Sequence, residues 1–401
     1  METTNKKSIS LMVLSFSIML IIGFLGNLRG ALLPTIKQDL GINYSSIGLL
    51  IVITGIGYMA ATFAAGFICD KIGHKNVFAI GFILVILGLI GITFTSGFVL
   101  LTVTMTVMCF GLGCFDIGLN SLTPKIFVTN TAIMLSFLHV FFGVGSALSP
   151  QVGSWFLLRD VPWNHVYGYS LAFVALVFIF FMLTPPLPSI HAALAGSSSV
   201  SSLLKDSRLW LFIAALAFCE STELGISNWL VNFLQVERGM SEGSSAQYMF
   251  YFFIIYTVGR MFGGYIAEKV GYIKIIITFV ATAMVLFAGG LFLGNTYAFL
   301  FSITGFFISI MFPTMITLIS KVFPNNSSSA MGLIITGAGL TCYIINWVIG
   351  KINDTMGVFA GFSTVLIYSS MVILLLSIIS KRVTYRTRKE IKDSAALCEV
   401  E

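Results

Sequence analysis

Charge is what this sequence has little of. Only 9% of its 401 residues are charged, against about 25% in an average soluble protein. Its 22 basic and 16 acidic side chains cannot cover a domain of this size with a hydrated surface. That excludes a soluble enzyme, a nucleic-acid-binding protein and a disordered chain. Cysteine is scarce too, with six residues. Cys69, Cys109, Cys114, Cys219, Cys342 and Cys398 form no Cys-x-x-Cys pair, so they read as small apolar side chains. His74, His139, His165 and His191 show no metal spacing, and no metal or cofactor is expected. A Gly-x4-Gly-Lys-(Ser/Thr) loop is absent, which rules out ATP as an energy source.

Apolar residues are abundant: 57% of the chain, with a mean hydropathy of +0.98. They come in unbroken runs of about 20 residues, enough to cross about 30 Å of hydrocarbon as a helix. An outer-membrane barrel would alternate instead. The runs predict an all-α polytopic membrane protein with twelve spans, near 10–34, 46–66, 76–96, 98–122, 132–157, 166–184, 209–235, 246–266, 274–294, 297–319, 330–350 and 358–380. The first lacks a small-residue cleavage site and reads as a retained span.

The basic residues predict the orientation. With both termini in the cytoplasm, sixteen of the 22 fall on inside segments. Only Lys37, Arg159, Arg238 and Lys351 fall outside, and Arg29 and Arg260 stand within spans. This is the positive-inside bias. It accounts for the net charge of +6 without invoking nucleic acid. The expectation is a monomeric, multi-pass protein of the plasma membrane, with the bilayer and a small molecule as partners. Pro185, Pro186 and Pro188, then Ser197–Ser199, Ser201 and Ser202, mark a flexible linker over 185–207. It separates a six-span bundle at 1–184 from another at 208–380, ahead of a basic tail at 381–401.

An internal repeat supports that division. After span two the chain reads Gly66-x3-Asp70-Lys71-x-Gly73-His74-Lys75. After span eight it reads Gly264-x3-Glu268-Lys269-x-Gly271, then Lys274. The offset is 198 residues, with an acid, a base and two glycines at the same spacing, as in transporters built from duplicated halves. These residues resemble the loop signature of the major facilitator superfamily, Gly-x3-Asp-(Arg/Lys)-x-Gly. The resemblance covers essentially the whole chain. It implies two six-helix bundles around a central cavity, alternating access, and spans 1, 4, 7 and 10 as the cavity lining. It also assigns Gly66, Asp70, Lys71, Gly73, Lys75, Glu268 and Lys269 to a gate on the cytoplasmic side.

Two further stretches are similar to the fucose, galactose and hexose proton symporters of that superfamily. Span four has Gly111-x-Gly113, Asp116 and Asn120. Span seven has Glu223 with Trp229-Leu230 six residues on. Span five, from His139 through Gly143 and Gly145 to Ser149-Pro150, is also similar. Span one departs from the pattern. Leu32-Leu33-Pro34 is preceded by Arg29-Gly30-Ala31, so the span-one acid of a two-carboxylate proton site is missing.

Five charged residues stand inside spans: Arg29, Asp116, Glu220, Glu223 and Arg260. A charge near the bilayer centre costs about 2.5–3.5 kcal/mol on insertion scales, so each points to function. Burial favours the protonated form of a carboxyl, which makes Asp116 the candidate proton-coupling site, in a fixed or switchable pair with Arg29. Glu223 and Glu220, one turn apart, are further candidates, since two close carboxylates resist joint ionisation. Arg260 reads as a gate residue. Substrate contacts are expected from Asn27, Arg29, Asn120, His139, Asn228, Trp229, Asn232 and Asn346, with aromatic faces for sugar rings and amides for hydroxyls. The leading expectation is proton-coupled uptake of a small polar solute such as a sugar. The alternatives are an organic-anion carrier using Arg29 and a proton-driven exporter of drugs or metabolites.

Overall fold

The computed structural model describes residues 2–126, 131–184, 203–323 and 327–398, with side chains for all of these except 2–8, 66–68, 70, 123–126, 131–136, 264, 327–329 and 382–398. Within them the long elements are all helices. The first group is α1 (Glu2–Asp39), α2 (Tyr44–Ile72), α3 (His74–Thr93), α4 (Phe98–Ile126), α5 (Thr131–Leu157) and α6 (Trp163–Leu183). The second is α7 (Ser207–Val236), α8 (Glu242–Val270), α9 (Tyr272–Phe292), α10 (Phe299–Ile308), α11 (Met311–Val322), α12 (Ser327–Met356) and α13 (Val358–Cys398). Ten stretches of the described chain are long and apolar enough to cross a membrane. The proposed linker lies largely outside the described residues, as does the loop after α4.

Helix ends follow local chemistry. The Asn43 side chain accepts from Ser46 N and caps α2, and Ser241 caps α8 through Ser244 N. α2 and α8 both end on a glycine with positive φ, Gly73 at 81° and Gly271 at 98°. Each glycine then starts the next helix directly. The 198-residue repeat is therefore a repeat of backbone geometry, at a conformation that side chains other than glycine rarely adopt.

The tenth span departs from the single helix expected over 297–319. It is broken into α10 and α11 at Ser309 and Ile310. Pro313 supplies the reason. A proline has no N–H, and its ring crowds the carbonyl four residues back, here that of Ser309. Pro150 in α5 leaves the Ser146 carbonyl in the same position, and the Ser149 hydroxyl donates to it at 3.2 Å.

Two large apolar cores form. One is built from α1 to α6; the other is built mainly from α7 to α13. The halves meet along α1–α7, α2–α12 and α5–α8. At the α1–α7 crossing the backbones are close: a Cβ on Gly30 would lie 2.3 Å from the Ser227 carbonyl oxygen. The halves are closed at the face that carries the α1–α2 turn. Among the described residues, their joining hydrogen bonds (Arg29–Asn228, Tyr44–Asn232 and those from Tyr44 and Ser45 to Asp354) all lie toward that face.

Candidate functional site

Spans one, two, four, five, seven and eight bring most of the intramembrane charges together. A cavity of about 220 Å³ is lined by Asp116 of α4, Glu220 and Glu223 of α7, His139 of α5, Arg260 of α8 and Tyr58 of α2. A second, of about 240 Å³, is lined by Asn27 and Arg29 of α1, Thr54 and Tyr58 of α2, and Glu223 and Ser227 of α7. The two share Ile22, Tyr58, Phe142, Glu223 and Leu224. A third space, of about 270 Å³, adjoins the first at His139, Arg260 and Phe312 and continues to Pro313 and Ile316 of α11.

Hydrogen bonds organise these charges. Asp116 accepts from the Tyr58 hydroxyl through Oδ2 and from Asn120 Nδ2 through Oδ1, both at 2.9 Å. Asn120 lies one helical turn on, which puts the two side chains on one face. Glu223 Oε2 accepts from the Tyr256 hydroxyl at 2.6 Å. Arg260 Nη2 donates to that hydroxyl oxygen at 2.5 Å. Its Nε donates at 3.3 Å to the Ser309 carbonyl, the one that Pro313 leaves without a helical donor.

Arg29 does not pair with Asp116. Its Nη1 donates to Thr54 Oγ1 and its Nη2 to Asn228 Oδ1, each at 3.0 Å. Its Nε is buried without a partner. Among the described residues the only ion pair is Arg208 with Asp206, at 2.6 Å. Arg29, Asp116, Glu223 and Arg260 are thus held by neutral groups. Such an arrangement leaves carboxyls able to exchange protons and a guanidinium able to take a ligand, because no opposite charge has to be displaced.

The other expected site residues divide between the cavities and the helix packing around them. Asn27 lines the second cavity and donates to Gly23 O and Ser146 Oγ. Asn228 is occupied by Arg29. Asn232 accepts from the Tyr44 hydroxyl at 3.4 Å, and Trp229 is fully buried with its ring 5.9 Å from that of Tyr44. Asn346 is buried, and its Nδ2 donates to Cys342 O. Trp229, Asn232 and Asn346 line none of these three cavities. Around the signature loops Lys71, Glu268 and Lys269 are exposed and Lys75 is half-buried. Lys269 sits over the Tyr265 ring. The surroundings of Gly66 and the Asp70 side chain lie outside the described residues. Arg260, expected at a gate, faces the first cavity.

Sequence reasoning missed Tyr58, Tyr256 and Thr54. A tyrosine in a span reads as belt or packing. The available signal was the repeat, because Tyr58 and Tyr256 are 198 residues apart, the offset of the signature loops.

The sequence profile described as Major Facilitator Superfamily matches residues 14–346. The protein TsgA of Salmonella paratyphi B is 25% identical over 338 residues, covering 83% of this chain and 85% of the relative. A cis,cis-muconate transport protein of Acinetobacter baylyi is 23% identical over 255 residues, 60% of this chain and 61% of the relative. Among solved structures, the nucleoside transporter NupG has a TM-score of 0.77 at 16% identity, covering 93% of this chain and 99% of that one. A D-xylose–proton symporter also has a TM-score of 0.77, at 13% identity and with coverage of 92% and 96%. The E. coli fucose–proton symporter FucP has a TM-score of 0.65 at 19% identity, with coverage of 93% and 99%.

Proposed function

This chain belongs to the Major Facilitator Superfamily and is a multi-pass secondary transporter, and we propose that it takes up a small polar solute together with protons. One observation carries the proposal. Three carboxyls and two guanidiniums, drawn from both halves, face contiguous cavities with no ion pair among them. Buried charge is costly, and in a merely structural role it would be neutralised by pairing. Groups left open to a cavity serve to bind what passes through it. Asp116 and Glu223 are the proton sites, and the solute occupies the space between Arg29 and Glu223. With both termini cytoplasmic, the closed face is the outer one and the third space leads toward the cytoplasm. A sugar fits this reading, and two structural neighbours are named as sugar–proton symporters.

A second reading has its own support. Arg29 has no carboxylate partner and a buried Nε with no acceptor. A guanidinium fork matches a carboxylate of the solute, and one relative is named as a muconate transporter. On this reading the cargo is a small organic anion.

Uptake into proteoliposomes under an imposed proton gradient separates the two. Hexoses, pentoses and dicarboxylates are offered to the wild type, Asp116→Asn, Glu223→Gln and Arg29→Lys. Sugar accumulation that collapses with the gradient, and in the two carboxyl variants, supports the first reading. Accumulation of dicarboxylates alone, lost in Arg29→Lys, supports the second. Uptake indifferent to the gradient and to both carboxyl variants rejects proton coupling.

A further inference from the structure

Tyr58 and Tyr256 occupy matched places in the two halves. Each lies twelve residues before the signature acid of its own half, Asp70 or Glu268, about 18 Å along a helix at 1.5 Å per residue. Each donates its hydroxyl to a carboxylate facing the first cavity, Asp116 in one half and Glu223 in the other. The carboxylates themselves are not matched, since one stands on the fourth span and the other on the seventh. Two acids at unmatched positions have met tyrosines at matched ones.

We propose that Tyr58 and Tyr256 are positioning residues that hold Asp116 and Glu223 as two proton stations, one per half, and that Arg260 makes the stations unequal. This rests on the proton-coupled reading above and adds how its two sites are built and distinguished. A phenol donating to a carboxylate favours the charged form and fixes its orientation. When Asp116 takes a proton, the Tyr58 oxygen can accept from the new acid, and the bond reverses. At Glu223 that reversal is opposed. The Tyr256 oxygen already accepts from Arg260, so its own proton is committed to Glu223. Arg260 stands where the first half has Thr62, whose hydroxyl turns back to its own helix at Met59 O. One half therefore has a guanidinium behind its tyrosine and the other has none.

Other titratable groups bear on both stations. Glu220 on α7, His139 on α5 and Arg29 on α1 face the same cavities. Cys109 on α4 and Tyr343 on α12 flank Tyr58. Cys219 on α7 and Cys342 on α12 lie near Glu220 and Glu223. None of these is hydrogen-bonded to Asp116 or Glu223 among the described residues, so the tyrosines, joined at Asp116 by the non-titrating Asn120, remain the direct partners.

The test uses the full chain in lipid and the proton as probe, so it needs no identified solute. Infrared difference spectra are titrated over about pH 5 to 9, a window around neutrality. The protonated-carboxyl bands are assigned by their loss in Asp116→Asn and Glu223→Gln. Tyr58→Phe, which keeps the ring, is expected to move only the Asp116 band, by about one unit to higher pH. Tyr256→Phe and Arg260→Gln are each expected to move only the Glu223 band, in the same direction. Fluorotyrosine in the wild-type chain, a stronger donor in an unchanged fold, is expected to move both bands to lower pH. Bands that stay in place in the phenylalanine variants, or under fluorotyrosine if a variant does not fold, overturn the proposal. So do bands that always move together. Failure of gradient-driven uptake with readable, separately moving bands would reject the proton-coupled uptake reading and leave the two stations standing.

Discussion

Asp354, at the end of α12, holds Ser45, at the start of α2. Its Oδ2 accepts from the Ser45 hydroxyl at 2.5 Å and from Ser45 N at 2.7 Å, while Oδ1 accepts from Tyr44 N at 2.8 Å. One carboxylate from the second half thus takes unsatisfied donors at the positive end of a helix in the first. The prediction is that Asp354→Ala opens this face. Spin labels placed on the turns beside α2 and α12 should report a longer distance in a larger fraction of molecules. The shift should be a few-fold to about tenfold, as expected for a solvent-exposed set of charge-assisted bonds. An unchanged distance distribution would show that the latch contributes nothing.

Gly30 makes a prediction of the same kind deeper in the bilayer. A side chain there would meet the Ser227 main chain at 2.3 Å, and a backbone in mid-helix has little room to yield. Gly30→Val should favour the conformation in which α1 and α7 have separated at this level. Labelling of a cysteine introduced near Tyr44 should become faster by about tenfold or more, the effect of roughly 1.4 kcal/mol on a two-state equilibrium. Slower labelling would contradict the close approach.

Pro313 links the broken tenth span to Arg260. Replacing it by alanine returns an N–H to position 313, where it competes with Arg260 for the Ser309 carbonyl. Pro313 stands in the first turn of α11, and the main-chain hydrogen bond regained across the break is worth about 1 kcal/mol, so Pro313→Ala should raise the melting temperature slightly. It should also slow transport, because Arg260 loses one of its two anchors. A variant both more stable and less active is the expected result; one equal to wild type in both would deny the break a role.

Asp116 ties transport to pH through its two protonation states. If transport requires the carboxyl to alternate between its protonated and ionised forms, asparagine fixes an uncharged state. Asp116→Asn should then retain solute exchange between equal concentrations inside and out. It should lose accumulation against a gradient, and its exchange rate should vary less with pH than that of wild type. Exchange that still falls as pH rises with the wild-type midpoint would place the proton elsewhere.

The apolar runs made the helices legible because crossing hydrocarbon leaves a chain few options, and the repeat was legible because its loops carry charge and glycine. The clustering of Asp116, Glu220, Glu223 and Arg29 could be anticipated from the cost of burying them. Their partners could not. Thr54, Tyr58 and Tyr256 are ordinary residues of a span until a charge is placed opposite them, and that depends on how α2 and α8 pack. Trp229 and Asn232 follow Glu223 on the same helix, but further along it α7 meets Tyr44 at the closed face instead of the cavity. Asp354 lies near the end of α12, where a carboxylate reads only as solvated. The helix start it caps lies 309 residues earlier in the chain.

The two inner cavities touch through a narrow set of residues. Three of the five they share, Ile22, Phe142 and Leu224, are apolar, and the polar two are Tyr58 and Glu223. A junction of this make-up is a poor conductor of hydrated ions, which would have to shed water beside aliphatic and aromatic carbon. Its two polar members are each engaged by another group, the Tyr58 hydroxyl by Asp116 and the Glu223 carboxylate by Tyr256. Each stray ion in a membrane is pulled by about 2.3 kcal/mol per 100 mV. A mostly apolar join between the cavities helps a carrier stay tight against that pull.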